Sequence, residues 1–410
     1  MSKWVKANLS DVTDITMGQS PDSASYNEVG FGYPFLQGCA DFGKRYPKAR
    51  IFCSDAKKIG RKDSVLISVR APVGELNLAD KDYCVGRGVS AIYPRKVNRD
   101  FLFNSLLLNK RLFYRVSQGS TFEAINSNDL NSFSIDYPDD MASQNKIARI
   151  LNTTDVVIEQ TELTIEKLKS IKQGMMHDLF TRGIDIKTGQ LRPPQSEEPE
   201  LYKNTELGWI PKDWDVVAVK DFGSVVTGNT PSKNNILNWG NDFLWASPFD
   251  FYEKYIYATQ TLLSNDGKKC ARIVPAGSVL ITCIASLGKN AVAAFEMAFN
   301  QQINAVIINR DNDNEYFYYN ISHDGIRFSA LAGQTAVPII NKTTFEKFKL
   351  TRALLPEQKL IADRISKADE HLLKTKKELN KYEKLKQGLM QDLLTGKVPV
   401  VPDPQDKGVN

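Results

Sequence analysis

Two stretches of the chain carry the same one-sided apolar stripe. In the first, Ile147, Leu151, Thr154, Ile158, Thr161, Ile165, Leu168, Lys172, Met175 and Leu179 follow one another at alternating spacings of four and three. In the second, Ile361, Ile365, Ala368, Leu372, Thr375, Leu379, Tyr382, Lys386, Leu389 and Leu393 do the same, each 214 residues after its partner (361 − 147). Apolar positions at this spacing predict a long helix with a narrow seam, the pattern of a coiled coil. Thirty-eight helical residues would span roughly 57 Å at about 1.5 Å each.

The stripes belong to a larger duplication. Without a gap, 144–181 and 358–395 are identical at thirteen of 38 positions, including Gln144/Gln358 and the runs SIKQGMMHDLFT and KLKQGLMQDLLT. Upstream, VLISVRAPVG (65–74) faces VLITCIASLG (279–288), and GSTFEAIN (119–126) resembles GQTAVPIIN (333–341). Near the start the offset is 210, with Trp4, Gly18 and Pro21 facing Trp214, Gly228 and Pro231. A repeat of this length decides the architecture before any single motif does.

Each half begins with a mixed region. SVLISVRAPVG and GSVLITCIASLG read as short apolar strands ending in glycine turns, as do VSAIYP and INAVIIN. FLFNSLLLNKRLFYRV (101–116) and EYFYYNISHDGIRFSAL (315–331) read as helices that follow them. Gly183 and the prolines at 193, 194 and 199 end the first long helix, and the polar run PPQSEEPE reads as a linker. The expected organisation is α+β: a mixed domain over 1–141, a long helix over 142–182 and a linker over 183–213. A second mixed domain follows over 214–355, then a long helix over 356–396 and a flexible tail over 397–410. The linker leaves room for the chain to reverse, so the two helices are expected to pair antiparallel with the mixed domains at opposite ends.

Composition removes several function classes. No run approaches the roughly 18 apolar residues of a membrane span, and the start MSKWVKANLSDVTD is too polar for a secretory signal, so a cytoplasmic location is expected. The five cysteines form no C-x-x-C pair and read as reduced thiols. Three histidines, His177, His323 and His371, argue against histidine-based metal or triad chemistry. No phosphate-binding G-x-x-x-x-G-K-[ST] loop occurs. No [DNS]-P-P-[YFW] tetrapeptide of an adenine methyltransferase occurs either; SPFD (247–250) is the nearest approach. PDDMAS (138–143) lacks the acid-x-Lys of a nuclease. No catalytic, metal or cofactor site is expected in the chain.

In order, the landmarks are Trp4, Leu9, Gly18 and Pro21, then SVRAPVG, GSTFEAIN and a Gln-x-x-Ile helix start. KNTELGWIPKDW (203–214), GNTPS, FLWASPFDF, GQTAVPIIN and LLPEQKLIADRI follow. This series resembles the DNA specificity subunits of type I restriction-modification systems from end to end. One departure is DMASQNKIARI at the start of the first helix, without the Pro-x-x-Gln form of PEQ (356–358). The resemblance implies two target-recognition domains, each reading half of a bipartite double-stranded DNA site. It implies helices that hold the half-sites apart and dock two adenine methyltransferase subunits carrying S-adenosylmethionine. Two motor-nuclease subunits using ATP and Mg can join.

Candidate DNA-binding residues differ between the halves. In the first, Lys44, Arg45, Lys48, Arg50, Lys57, Lys58, Arg61 and Lys62 fall within 19 residues, opposed by Asp55 alone and interleaved with Phe42, Tyr46 and Phe52. Such a cluster attracts phosphates, and its arginines and lysines suit guanine edges; a solvated basic loop is the plainer alternative. In the second half, FLWASPFDFYEKYIY (243–257) has seven aromatics and one basic residue, for which core packing is the plainer reading. Its candidate readers are Lys233, Asn234, Asn235, Gln301 and Gln302, since Asn and Gln bond adenine bidentately. Arg70 and Arg87 face Ile284 and Gln301, as unequal half-sites require and as drift also produces. The seam residues pack the helices together and are candidates for partner docking. Three alternatives stay open: a stand-alone specificity chain exchanged between complexes, a coiled-coil scaffold whose heads bind protein, and a DNA-modifying enzyme.

Overall fold

A computed structural model describes residues 3–117, 124–333 and 337–407. Residues 119–123 of the GSTFEAIN motif and 334–336 of GQTAVPIIN therefore lie outside the described residues. By internal contacts the chain forms two units, Met1–Leu163 with Lys376–Asn410, and Thr164–Thr375. The division runs through both long helices, so each unit is one mixed head with a stretch of each helix.

In the first head, one sheet has the strand order Thr13–Met17, Val89–Pro94, Val65–Ser68, Leu76–Leu78. A second has the order Tyr26–Asn27, Ile51–Cys53, Tyr33–Leu36, Tyr83–Val85, Ile59–Gly60. The second head repeats the first sheet as Gly223–Thr227, Ile303–Ile308, Val279–Thr282, Asn290–Ala293, with Tyr255–Ile256 added. It repeats the other as Trp239–Gly240, Thr261–Leu263, Phe243–Ala246, Met297–Phe299, Ile273–Val274. The strands Val65–Ser68 and Val279–Thr282 are unbroken apolar runs because both of their faces are covered. Val65 and Ile67 enter the core shared with the helix Arg99–Leu108, and Leu66 points into the opposite core with Leu36 and Val85. Val279 and Ile281 part from Leu280 in the same way, as the two-residue period of a strand demands.

The two segments predicted as head helices are each broken once. Arg99–Leu108 is followed by Lys110–Ser117, and Asn314–His323 by Gly325–Ala330. The long helices run Met141–Thr181 and Leu355–Leu393. Each carries in its first turn a glutamine that serves its own head. Gln144 accepts from Asn98 N (2.7 Å) and donates to Pro138 O (2.9 Å). Gln358 accepts from Asp313 N (2.8 Å) and donates to Ala353 O (2.8 Å). Asn98 and Asp313 cap the head helices, so each repeated glutamine ties a long helix to the start of a head helix.

Within each unit the long helices pair antiparallel. In the first, Ile147, Ala148 and Leu151 share a core with Met390, Leu393 and Leu394. In the second, Leu179 and Phe180 share one with Ile361, Ala362 and Ile365. All twenty stripe residues are buried or half-buried. The two stripe lysines meet acids on the opposite helix: Lys386 pairs with Asp155, and Lys172 with Asp369 at 2.6 Å. Asp155 and Asp369 are themselves 214 apart, so one interhelical ion pair occurs once per unit and favours one orientation and register. Lys172→Ala and Lys386→Ala are each expected to lower stability by roughly 0.5–3 kcal/mol. The pairs share no partner, so the double variant should show the sum in a thermal melt. A cost well below the sum would show that they do not act separately.

Two segments read from sequence as connections are built into the units. In the linker, Tyr202–Thr205 pairs with Gly208–Pro211, and Ile184 and Ile210 enter the core with Trp214. In the tail, Asp403 pairs with Lys146 (2.5 Å) and Arg149 (2.6 Å), and buried Asp406 pairs with Arg149 (2.8 Å). Hydrogen bonds from Arg149 hold the Asp406 carboxyl below the usual carboxylate range.

Candidate nucleic-acid interface

The repeated glycines shape the surface of each head. A Cβ on Gly18 would lie 2.1 Å from Gly86 O and 2.4 Å from Val89 O; one on Gly228 would lie 2.2 Å from Asn300 O and 2.4 Å from Phe299 O. Only glycine lets the end of the Thr13–Met17 strand touch the turn at 86–88, and the corresponding strand touch the turn at 300–302. Those turns present Arg87 and Gln301.

In the first head this contact creates an open groove of about 550 Å³. Arg70 and Arg87 line it together with Ser20, Tyr26, Gln37 and Cys39. Both arginines are exposed, and Arg87 Nε donates to Ser20 Oγ at 3.3 Å. The structure thus brings together two cations 17 residues apart (87 − 70). Ser20, Tyr26 and Gln37 gave no signal of their own, although Gly18 and Pro21 of the repeat flank Ser20.

The dense basic stretch is dispersed. Arg45 is half-buried against the first long helix: its guanidinium lies 3.6 Å from Asp100 and 3.8 Å from Asp155, and donates to Asn152 Oδ1 at 3.0 Å. Burial pushes the Asp100 carboxyl upward, but hydrogen bonds from Arg99 and Asn152 with the charge of Arg45 outweigh it and hold it below the usual range. Lys44 pairs with Glu162 on the same helix. Lys57 pairs with Asp55 at 2.6 Å, while Arg61 pairs with Asp14 at 3.2 Å and lies over the Tyr93 ring. Lys48, Arg50, Lys58 and Lys62 remain exposed. Four of the eight cations are therefore engaged by acids, two of them on the long helix. Sequence adjacency had suggested one phosphate-binding patch.

The matching place in the second head has different chemistry. Gln301 takes the place of Arg87 and is hydrogen-bonded by Thr230. Gln302 is committed internally, its Oε1 accepting from Asn300 Nδ2 at 3.2 Å. Asn235 caps the short turn Ile236–Asn238 through Leu237 N. Lys233 and Asn234 are exposed. The aromatic run divides: Trp245 is buried, but Phe249, Tyr252 and Tyr257 are 73%, 76% and 60% exposed, against the expectation of core packing. Lys254, beside them, turns inward. Its ammonium reaches Glu315 (2.8 Å), Ser366 Oγ (2.8 Å) and Tyr319 OH (3.1 Å), and Tyr319 donates onward to Asp369 (2.8 Å). Burial raises the Glu315 carboxyl, but hydrogen bonds from Lys254, Ser366 and Tyr255 outweigh it and hold it low.

These two heads, alike in topology and unlike in their surface side chains, are what a family comparison has to match. The family model described as the type I restriction modification DNA specificity domain matches residues 1–173 and again 211–384. The chain belongs to that family. A putative type I restriction enzyme specificity subunit of Methanocaldococcus jannaschii, MjaX, is 39% identical over 176 residues, 42% of this chain and 41% of the relative. That alignment spans less than half of the relative's length. A second specificity subunit from the same organism, MjaVIII, is 24% identical over 420 residues, 97% of this chain and 93% of the relative. The fold is similar to the S subunit of a type I restriction-modification system from M. genitalium, with TM-score 0.61, 15% identity and 96% of each chain covered. A chain from a structure of type I system assembly and conformational transition matches at TM-score 0.58 and 15% identity, over 96% of this chain and 98% of that one. The duplicated family match is the head-and-helix repeat seen in the sheets. Among the described residues, no helix is long and apolar enough to cross a membrane, and no cluster of His, Cys, Asp or Glu could hold a metal ion.

Proposed function

We propose that this specificity-family chain reads a bipartite, asymmetric double-stranded DNA site, one half with each head, and directs adenine methyltransferase and endonuclease subunits to it. The observation that carries the reading is the pair of unlike surfaces at matching places. Arg70 and Arg87 share a groove on one head, and Gln301 with Thr230 occupies the Arg87 place on the other. Two arginines suit guanine O6 and N7, whereas a glutamine suits adenine. Exposed Lys48, Arg50 and Lys58 on the same head supply phosphate attraction. S-adenosylmethionine, ATP and Mg belong to the partner subunits.

The stripe residues are buried or half-buried, and with the apolar residues exposed beside them they offer the surface for partner docking. Ile171 and Leu385 are exposed at matching places 214 apart, and Val156 and Leu163 are exposed as well. Equivalent docking points on a duplicated rod suit two copies of one methyltransferase subunit.

Co-expression with methyltransferase subunits and genome-wide mapping of methylated adenines tests the proposal. The expected result is one two-part motif with a fixed gap and unlike halves. A palindromic motif, or methylation that does not depend on this chain, would overturn it.

A further inference from the structure

In each head, the loop after the parallel-paired strand of the second sheet sends a half-buried cation against a long helix. After Tyr33–Leu36 it is Arg45, and after Phe243–Ala246 it is Lys254. Arg45 meets Asp100 at the start of the head helix and Asn152 and Asp155 on the first long helix. Lys254 meets Glu315 at the start of the other head helix and Ser366 on the second long helix, and Tyr319 extends the network to Asp369. Asp155 and Asp369 are repeat partners and also take the interhelical lysines Lys386 and Lys172. Each unit thus has one charged knot joining head loop, head helix and both long helices. The residue types and loop lengths differ between the units, but the connection is the same.

We infer that Arg45 and Lys254 are positioning residues that fix the angle of each head on its helices and so set which spacer length between the half-sites is accepted. The inference rests on the bipartite reading. One added base pair shifts a half-site by roughly 3.4 Å and turns it by roughly 35° about the duplex axis, since a helical turn takes 10–10.5 base pairs. A head locked by charge-assisted hydrogen bonds cannot follow that displacement, and a head freed to pivot can. Neither cation is placed to touch DNA: the Lys254 side chain is 16% exposed, and both are spent on acids within their own unit.

The test uses the full chain co-expressed with its methyltransferase subunits. Purified complexes are offered DNA with the mapped half-sites held constant and the spacer varied by one or two base pairs either way. The unaltered chain should prefer one spacer. Arg45→Ala and Lys254→Ala should each lower that preference roughly tenfold at the neighbouring spacers, the size expected on cutting such a network. Base preference in both half-sites should stay unchanged, and Arg45→Lys should restore part of the spacer preference. Glu315→Gln, which keeps the volume and one acceptor oxygen but removes the charge that holds Lys254, carries the test if an alanine variant melts early. An unaltered chain without a preferred spacer would defeat the bipartite reading itself. A sharp spacer in the unaltered chain that persists in folded Arg45→Ala and in Glu315→Gln would defeat this inference and leave the bipartite reading standing.

Discussion

Replacing Glu357 with alanine is expected to destabilise the second unit by about 3–5 kcal/mol, the cost of leaving a buried charge without its partner. The carboxylate is fully buried and accepts from Arg192 (2.5 and 3.1 Å), Ile184 N (2.6 Å) and Trp214 Nε1 (2.9 Å). The Arg192 side chain is only 11% exposed, so water cannot replace the lost acceptor, and Asp213 at 2.9 Å reaches just one end of the guanidinium. The indole N–H and the Ile184 amide would be stranded as well. Gly183 closes the site from the other side with φ +67°, where a Cβ would lie 2.3 Å from Glu357 Oε1. Denaturant unfolding of the full chain, followed by tryptophan fluorescence, measures the loss. Glu357→Gln keeps the volume but only one of the two acceptor oxygens, and its amide NH2 would face N–H donors, so it too should destabilise the unit. A loss below about 1 kcal/mol for the alanine variant would refute the assignment of this carboxylate as the anchor of the segment after the first long helix.

Arg87→Ala is expected to weaken specific DNA binding by about 1–3 kcal/mol, a roughly 5- to 150-fold rise in Kd, and to relax base preference in one half-site only. Arg70→Ala should act on the same half-site. The two side chains line one groove, so the double variant should not show the simple sum. Lys58→Ala, exposed and on the same head, should instead weaken binding uniformly across sequences and reduce the salt dependence by about one phosphate contact. Binding to libraries randomised in one half-site at a time separates these outcomes. Loss of preference in both half-sites after Arg87→Ala would remove the groove from the recognition surface.

The amino-acid sequence alone determined the duplication, the two long helices and the α+β heads, because those features repeat at one offset and rest on local periodicity. Gln144 with Gln358 and Gly18 with Gly228 stand in both copies because the same backbone contacts are made twice, and Lys172 with Lys386 because the same interhelical ion pair is made twice. Which cations face solvent could not be read from the chain. Arg45 sits in a basic run, and its partners Asp100 and Asp155 lie 55 and 110 residues further on (100 − 45 and 155 − 45). Charge density in a sequence window counts neighbours along the chain, whereas ion pairing depends on neighbours in space. The same reason hid the docking of the tail on Lys146 and Arg149 and the anchoring of the linker by Glu357. It also hid the groove, since Arg70 and Arg87 stand on separate turns that only the sheet pairing and the close approach at Gly18 bring together.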